Sequence, residues 1–306
     1  MERENKKADK ATKQSLPLFP FLPTIEVRAE VLVPQIRNPI WTENKAKLIE
    51  RYLYYFVLVT KHGTYIDGFA GPQEPTHPET WAAKLVVESE PKWFRHFHFF
   101  DEDPKQMERL RDLRKRIGAA DDAAGIGREI RVYEGDFNEQ VLPVLKGDCI
   151  RQKEATFCLL DQRTFECHWA TVKRLAEYKQ APNNKIELFY FLGVGWLKRA
   201  ISGVKHESIL QQWWGRSDWS KLSVMTEDEI RDEFVSRFRN ELGYRYAHPW
   251  PIFERRAGQG RLMYYMVHAT DHPAAPLLMA RAYARAVTRR ESVEQLKLEL
   301  ATVISP

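Results

Sequence analysis

Long apolar runs are missing from this sequence: nothing approaches the roughly 20 residues that a membrane-spanning helix needs. Cysteine is scarce. The three present, Cys149, Cys158 and Cys167, form no CxxC pair, which argues against a disulfide framework or a zinc ribbon and leaves them as small buried hydrophobes. GxxxxGK[ST] does not occur, so a P-loop is excluded, and without GxGxxG a dinucleotide fingerprint is weak. HExxH does not occur either; His62, His96, His98, His248, His268 and His272 are scattered and read as strand or loop residues, so no metal site is expected. The opening MERENKKADKATKQ lacks the apolar stretch of a secretory signal, and the expected location is the cytoplasm. Neither an internal repeat nor a low-complexity tract stands out beyond that tail.

What is there suits a globular α/β protein. A chain of 306 residues can bury one large core or two modest ones, and 43% hydrophobic with 29% charged residues is ordinary. The net charge of +5 is spread along the chain, which permits a nucleic-acid partner without requiring one. Residues 1–40 divide into a basic flexible tail and a proline-rich extended arm, since proline breaks both helix and central strand. Thr42 is placed to cap a helix running to about Val59, with Leu48, Tyr52, Leu53 and Phe56 on one face. The α/β domain is expected over 41–290, with a helical insertion at about 196–242, and 291–306 as a C-terminal extension.

From Thr64 onward short apolar runs alternate with amphipathic segments. YID precedes a helix near Trp81 to Ser89, and FHFF a helix from Pro104 to about Ile117; IRVYEGD precedes FNEQVLPVLK, TFCLLD precedes HWATVKRLAEYK, and IELFYFL follows. Strand and helix at this rhythm predict a mostly parallel sheet with helices on both faces. Two later runs, YRYAHPWPI and LMYYMVHAT, suit an antiparallel edge hairpin, and a helix should follow from Ala274 to about Arg289.

Acids close four of these strands: Asp67, Asp101, Asp136 and Asp161. In a parallel sheet the carboxyl ends share one edge, so these carboxylates should converge on one cleft. Crowded acids are costly unless a ligand brings donors or positive charge. A cationic amine, a ribose diol and an adenine amine on one extended molecule meet that need, and S-adenosylmethionine carries all three. Gly68 and Gly71 let the backbone turn close to such a ligand, with Phe69 between them. Asp67 would face its amino-acid end, Asp101 the ribose hydroxyls, and Asp136 the adenine amine beside Phe137, because an ionised carboxylate only accepts.

IDGFAGP at 66–72, FFDEDP at 99–104, GDFNE at 135–139, LLDQRTFECHWATVKRLA at 159–176, IELFYFLGVGWL at 186–197 and YYMVHATDHP at 264–273 together resemble the three-Cys-motif partner proteins (TcmP). The likeness runs from about Trp41 to about Val287. It implies a Rossmann-like class I methyltransferase fold with a seven-stranded sheet. It also implies a partnership with a radical-SAM-like protein, whose cysteines give the family its name. Amino-methylating enzymes of this fold carry Asp or Asn, two prolines and an aromatic after the fourth strand, and many members of the resembled family carry Asp-Pro-Phe-Gly. Here the segment is Asp161-Gln162-Arg163-Thr164-Phe165, which keeps the acid and an aromatic and loses the proline. The catalytic candidates are Asp161, to orient or deprotonate the acceptor, Phe165, to pack against it, and Arg163, to hold an anionic substrate or to pair with Glu166.

Cys167 and His168 beside Glu166 lack the second ligand pair that a metal would need. Trp213, Trp214 and Trp219 with Arg216 offer either a stacking platform for a base or the core of the insertion, and the second is expected. Three functions follow: a methyltransferase acting on a nucleic acid or nucleotide-like substrate, a catalytically degenerate cofactor-binding subunit, or a nucleic-acid accessory factor.

Overall fold

The computed structural model describes residues 40–286 apart from 42, 43, 75, 148, 182–183 and 255–260. The tail, most of the proline-rich arm, the Thr42 cap and the C-terminal extension lie outside the described residues. A two-residue strand, β1 (Ile40–Trp41), leads into α1 (Lys45–Thr60). Five strand-helix units follow: β2 (Gly63–Asp67) and α2 (Ala82–Glu88), β3 (Phe94–Asp101) and α3 (Pro104–Ala124), β4 (Glu129–Glu134) and α4 (Phe137–Lys146), β5 (Thr156–Leu160) and α5 (Trp169–Glu177), and β6 (Glu187–Leu192) with the insertion behind it. The insertion holds α6 (Leu197–Gly203), α7 (Glu207–Trp214) and α8 (Glu227–Asn240). The chain then forms β7 (Tyr246–Phe253), β8 (Leu262–Thr270) and α9 (Ala275–Arg285).

The strands lie in the order β1-β7-β8-β6-β5-β2-β3-β4. β4, β3, β2, β5 and β6 are parallel, while β8 runs antiparallel to both β6 and β7. The seven expected strands are all present, and the added β1 pairs parallel with the outer strand through Ile252 and Phe253. Pro249 and Pro251 have no N–H to give, which suits the stretch of β7 that the short β1, paired only at Ile252 and Phe253 among the described residues, leaves uncovered. Strand succession reverses between β2 and β5, and the antiparallel β8 sits between β6 and β7; this is the Rossmann-like class I methyltransferase fold. α3 continues seven residues beyond the expected end because GAADDAA still favours helix, and it stops where Gly125 takes φ 66°.

Strands β2, β5 and β6 are buried along their whole length, as a sheet covered on both faces requires. Side chains alternate between two cores. Tyr65, Phe97, Phe99, Phe157 and Phe189 share one face, where Tyr52 and Phe56 of α1 reach Phe157. Ile66, Phe100, Cys158, Leu160 and Tyr190 join Val141, Val172, Trp213 and Phe234 on the other. No helix among the described residues is long and apolar enough to cross a membrane.

Candidate active site

The loop after β2 is clamped before anything else is built on it. Gly68 N–H donates to the Leu159 carbonyl at 3.0 Å and Ala70 N–H to the Phe100 carbonyl at 2.8 Å, so the GFAG turn is pinned to β5 and β3 at once. Gly71 N–H donates to Asp101 Oδ2 at 2.9 Å, and Asp103 N–H donates to Asp101 Oδ1 at 3.0 Å. A Cβ on Gly71 would lie 2.5 Å from Gln106 Cβ and 2.6 Å from Asp101 Oδ2, so only glycine fits there. Asp136 caps α4 through Oδ1, which accepts from the Asn138 main-chain N–H at 2.9 Å. Phe137 stands edge-on to Phe100 and beside Phe69.

The carboxyl edge of the sheet opens into a cleft of about 920 Å3. Its walls carry Gly68, Phe69, Gly71, Asp101, Asp136 and Phe137 on one side, and Asp161, Arg163 and Phe165 on the other. Nine of the ten residues expected at the site thus meet in one cavity, at the point where strand order reverses. Asp67 is the exception: it lies behind the turn, 2% exposed, accepting from Tyr65 Oη at 3.0 Å and from Phe69 N–H at 3.2 Å. Burial, aided by the charges of Asp161 and Asp101, lifts its pKa to about 7 against those two hydrogen bonds.

Asp161 has a partner that sequence reasoning missed. Lys45, at the start of α1, forms a buried ion pair with Asp161 Oδ2, which also accepts from Gln73 Nε2 at 3.2 Å. Burial works against the lysine's charge, but Asp161 foremost, with Tyr264 and Asp67, outweighs it and holds the ammonium above its ordinary pKa. The Tyr264 ring lies 5.6 Å from Nζ. Asp161 Oδ1 is buried with no hydrogen-bond partner among the described residues. A signal for Lys45 was present: it precedes Leu48, Ile49 and Tyr52 by three, four and seven positions, so it sits on the buried stripe of α1.

The missing proline has a physical substitute. Gln162, 1% exposed, donates to the Phe191 carbonyl at 3.3 Å and accepts from Cys167 N–H at 2.8 Å, tying the β5 loop to β6 and to its own far end. Asn138, also missed, joins the neighbouring loops: its amide donates to Asp136 Oδ1 and the Glu166 carbonyl, while its oxygen accepts from His168 N–H and Thr171 Oγ1. Phe165 packs edge-on against Trp213, with centroids 4.9 Å apart. Glu166 accepts from the Arg163 main-chain N–H at 2.7 Å, and the Arg163 guanidinium has no ion pair among the described residues. No cluster of metal-ligating residues occurs among the described residues, Cys167 and His168 included.

The tryptophans form core rather than a platform. Trp213 and Trp214 are buried against Phe234, and Arg216 pairs with Glu233 and Glu241. Arg237 lies between Trp169 and Trp214, its guanidinium carbon 3.9 and 4.3 Å from the two ring centres.

Comparison with known proteins adds little to this geometry. No protein-family model matches the chain, and no curated protein matches it. Among solved structures it is similar to the small RNA methyltransferase HEN1, with a TM-score of 0.43 and 9% identity over 74% of this chain and 26% of that one. It is also similar to the structure titled "Conversion of a Disulfide Bond into a Thioacetal Group during Echinomycin Biosynthesis", with a TM-score of 0.34 and 12% identity over 83% of this chain and 87% of that one. The chain thus spans about a quarter of the first of these structures.

Proposed function

We propose that this chain binds S-adenosylmethionine across the ends of β2, β3 and β4 and transfers its methyl group to a nucleic acid or nucleotide-like acceptor entering beside Asp161. The observation that carries this reading is the single cleft shared by the residues suited to the cofactor and those suited to the acceptor. Cofactor sites fall at about 300–1,000 Å3, so the space is adequate for a cofactor and part of a second molecule. The acid-lined wall suits a ligand with several donors and a positive charge. When bound, S-adenosylmethionine supplies an electrophilic methyl group on a sulfonium.

The chain's own residues do the rest. Asp101, fixed by Gly71 and Asp103, keeps lone pairs for the ribose hydroxyls; Asp136 accepts from the adenine amine, with Phe137 and Phe69 walling the base. Asp161 Oδ1 accepts from the acceptor's N–H or O–H and fixes its approach, while Phe165 excludes water.

Membership of the three-Cys-motif partner family, a radical-SAM-like partner and a cytoplasmic location complete the proposal. The first two are supported by the resemblance, whose motifs IDGFAGP, FFDEDP, GDFNE and LLDQRTF supply the walls of the cleft, and the location is proposed beside them because no helix among the described residues is long and apolar enough to cross a membrane. A second reading, a cofactor-binding subunit without activity, is favoured by the engagement of Asp161 with Lys45 and by Gln162 in place of proline. Incubation with methyl-labelled S-adenosylmethionine and a panel of nucleotides, oligonucleotides and proteins separates the two. Labelled product lost in Asp161→Asn supports transfer, whereas cofactor binding without product under any condition supports the subunit.

A further inference from the structure

The cleft is electrically lopsided. Its β2–β4 side presents Asp101, Glu102, Asp103 and Asp136. The opposite side, built by the β5 loop and the α6–α7 link, presents Arg163, Lys205 and His206. Two acids also stand on that side, and both are already engaged: Asp161 by Lys45 and Gln73, and Glu166 by the Arg163 main-chain N–H. Burial foremost raises the Glu166 pKa, with Glu102 and Asp101 adding to it, against the Arg163 main-chain N–H and the nearby Arg163 charge. Arg163, Lys205 and His206 are exposed, and their side chains have no hydrogen bond or ion pair among the described residues. Two free cations on a surface are ordinary. Two on one wall of a cleft, opposite four acids and next to a carboxylate already matched by a buried lysine, set the sign of what that wall attracts, and the His206 ring beside them adds a hydrogen-bonding group.

Were Asp161 unmatched, it would draw a cationic amine into this half. With Lys45 beside it the pair carries no net charge, and the wall is left positive. An arginine fork meets two phosphate oxygens at once, and a lysine contributes a mobile point charge. Ile209, 40% exposed on the same wall, offers apolar contact to the body of the ligand.

We infer that Arg163, Lys205 and His206 form an anion subsite that holds a phosphate group of the methyl acceptor. The inference rests on the methyltransferase reading of the cleft and deepens it. A free nucleotide and a nucleic-acid strand share this chemistry.

The test uses the full chain and two probes, inorganic pyrophosphate and a hexathymidylate strand, titrated calorimetrically with wild type and with Arg163→Ala, Lys205→Ala and the double variant. The expected result is binding of at least one probe that weakens about tenfold in each single variant and is lost in the double. Binding of pyrophosphate alone assigns a small phosphate-bearing acceptor; tighter, salt-dependent binding of the strand assigns a nucleic acid. Failure of wild type to bind either probe overturns the inference, as does binding unchanged in the double variant. The cofactor reading is scored separately by titrating S-adenosylmethionine into wild type and Asp101→Asn. Pyrophosphate binding without cofactor binding would sink that reading and leave the subsite standing.

Discussion

Replacing Lys45 by Met keeps the length of the side chain and removes its charge, which leaves the Asp161 carboxylate buried with only Gln73 as donor. Both side chains of the pair are nearly inaccessible, 8% and 9% exposed, so water cannot take the lysine's place. Removing one member of such a pair costs about 3–5 kcal/mol, most of it the stranded charge, whereas replacing both by apolar groups is often neutral or stabilising. Lys45→Met is therefore expected to lose about 3–5 kcal/mol in urea unfolding, and Lys45→Met/Asp161→Leu to recover most of that loss. The ammonium pKa is raised in the folded state, so the pair's contribution is fully present below the unfolded lysine value of 10.5 and declines only as pH rises through the higher folded value. Stability measured from pH 7 to pH 9 should show no loss from this source. Additive costs in the double variant would refute the reasoning, because two groups that do not interact have no coupling energy.

Asp67 should make stability fall with pH. Its folded pKa of about 7 exceeds the ordinary 3.8, so between those values the folded chain binds the extra proton and stability declines as pH rises, by up to about 1.4 kcal/mol per unit, then levels above 7. Asp67→Asn is expected to flatten that slope and to raise the melting temperature at pH 8, read by thermal scans across pH 4–8. Gly71→Ala should cost about 1–3 kcal/mol through the clash with Gln106 and Asp101, and should weaken S-adenosylmethionine binding more than tenfold in a direct titration. Arg237→Met removes two cation–π contacts, a hydrogen bond to the Trp214 carbonyl and paired bonds to Glu241; urea unfolding should register a loss of about 2–4 kcal/mol, with Arg237→Lys only partly restoring it.

The strand ends were legible because each couples a signal of local order to one of position. An apolar run followed by an acid and a helix start marks a carboxyl edge, and parallel topology then gathers those edges without any knowledge of long-range contacts. Asp101, Asp136, Asp161 and the GFAG turn reached the cleft on that logic. Asp67 differs because side chains alternate along a strand: it follows Tyr65 by two positions and so points to the same covered face. Lys45 and Gln73 pair with Asp161 across 116 and 88 positions, separations at which composition and period say nothing. The loop after β5 lacks the proline of the resembled family; its order comes from Gln162, whose two hydrogen bonds depend on where Phe191 and Cys167 come to rest. The two-residue β1 is too short to carry a period at all.

Calorimetric titration of the full chain with S-adenosylmethionine, in parallel with Asp101→Asn, tests the central claim most directly. The account predicts micromolar binding by the wild type and its loss in the folded variant, since the fixed carboxylate at the end of β3 is the acceptor for the ribose hydroxyls. Absence of binding by folded wild type, or binding unchanged in Asp101→Asn, would contradict it.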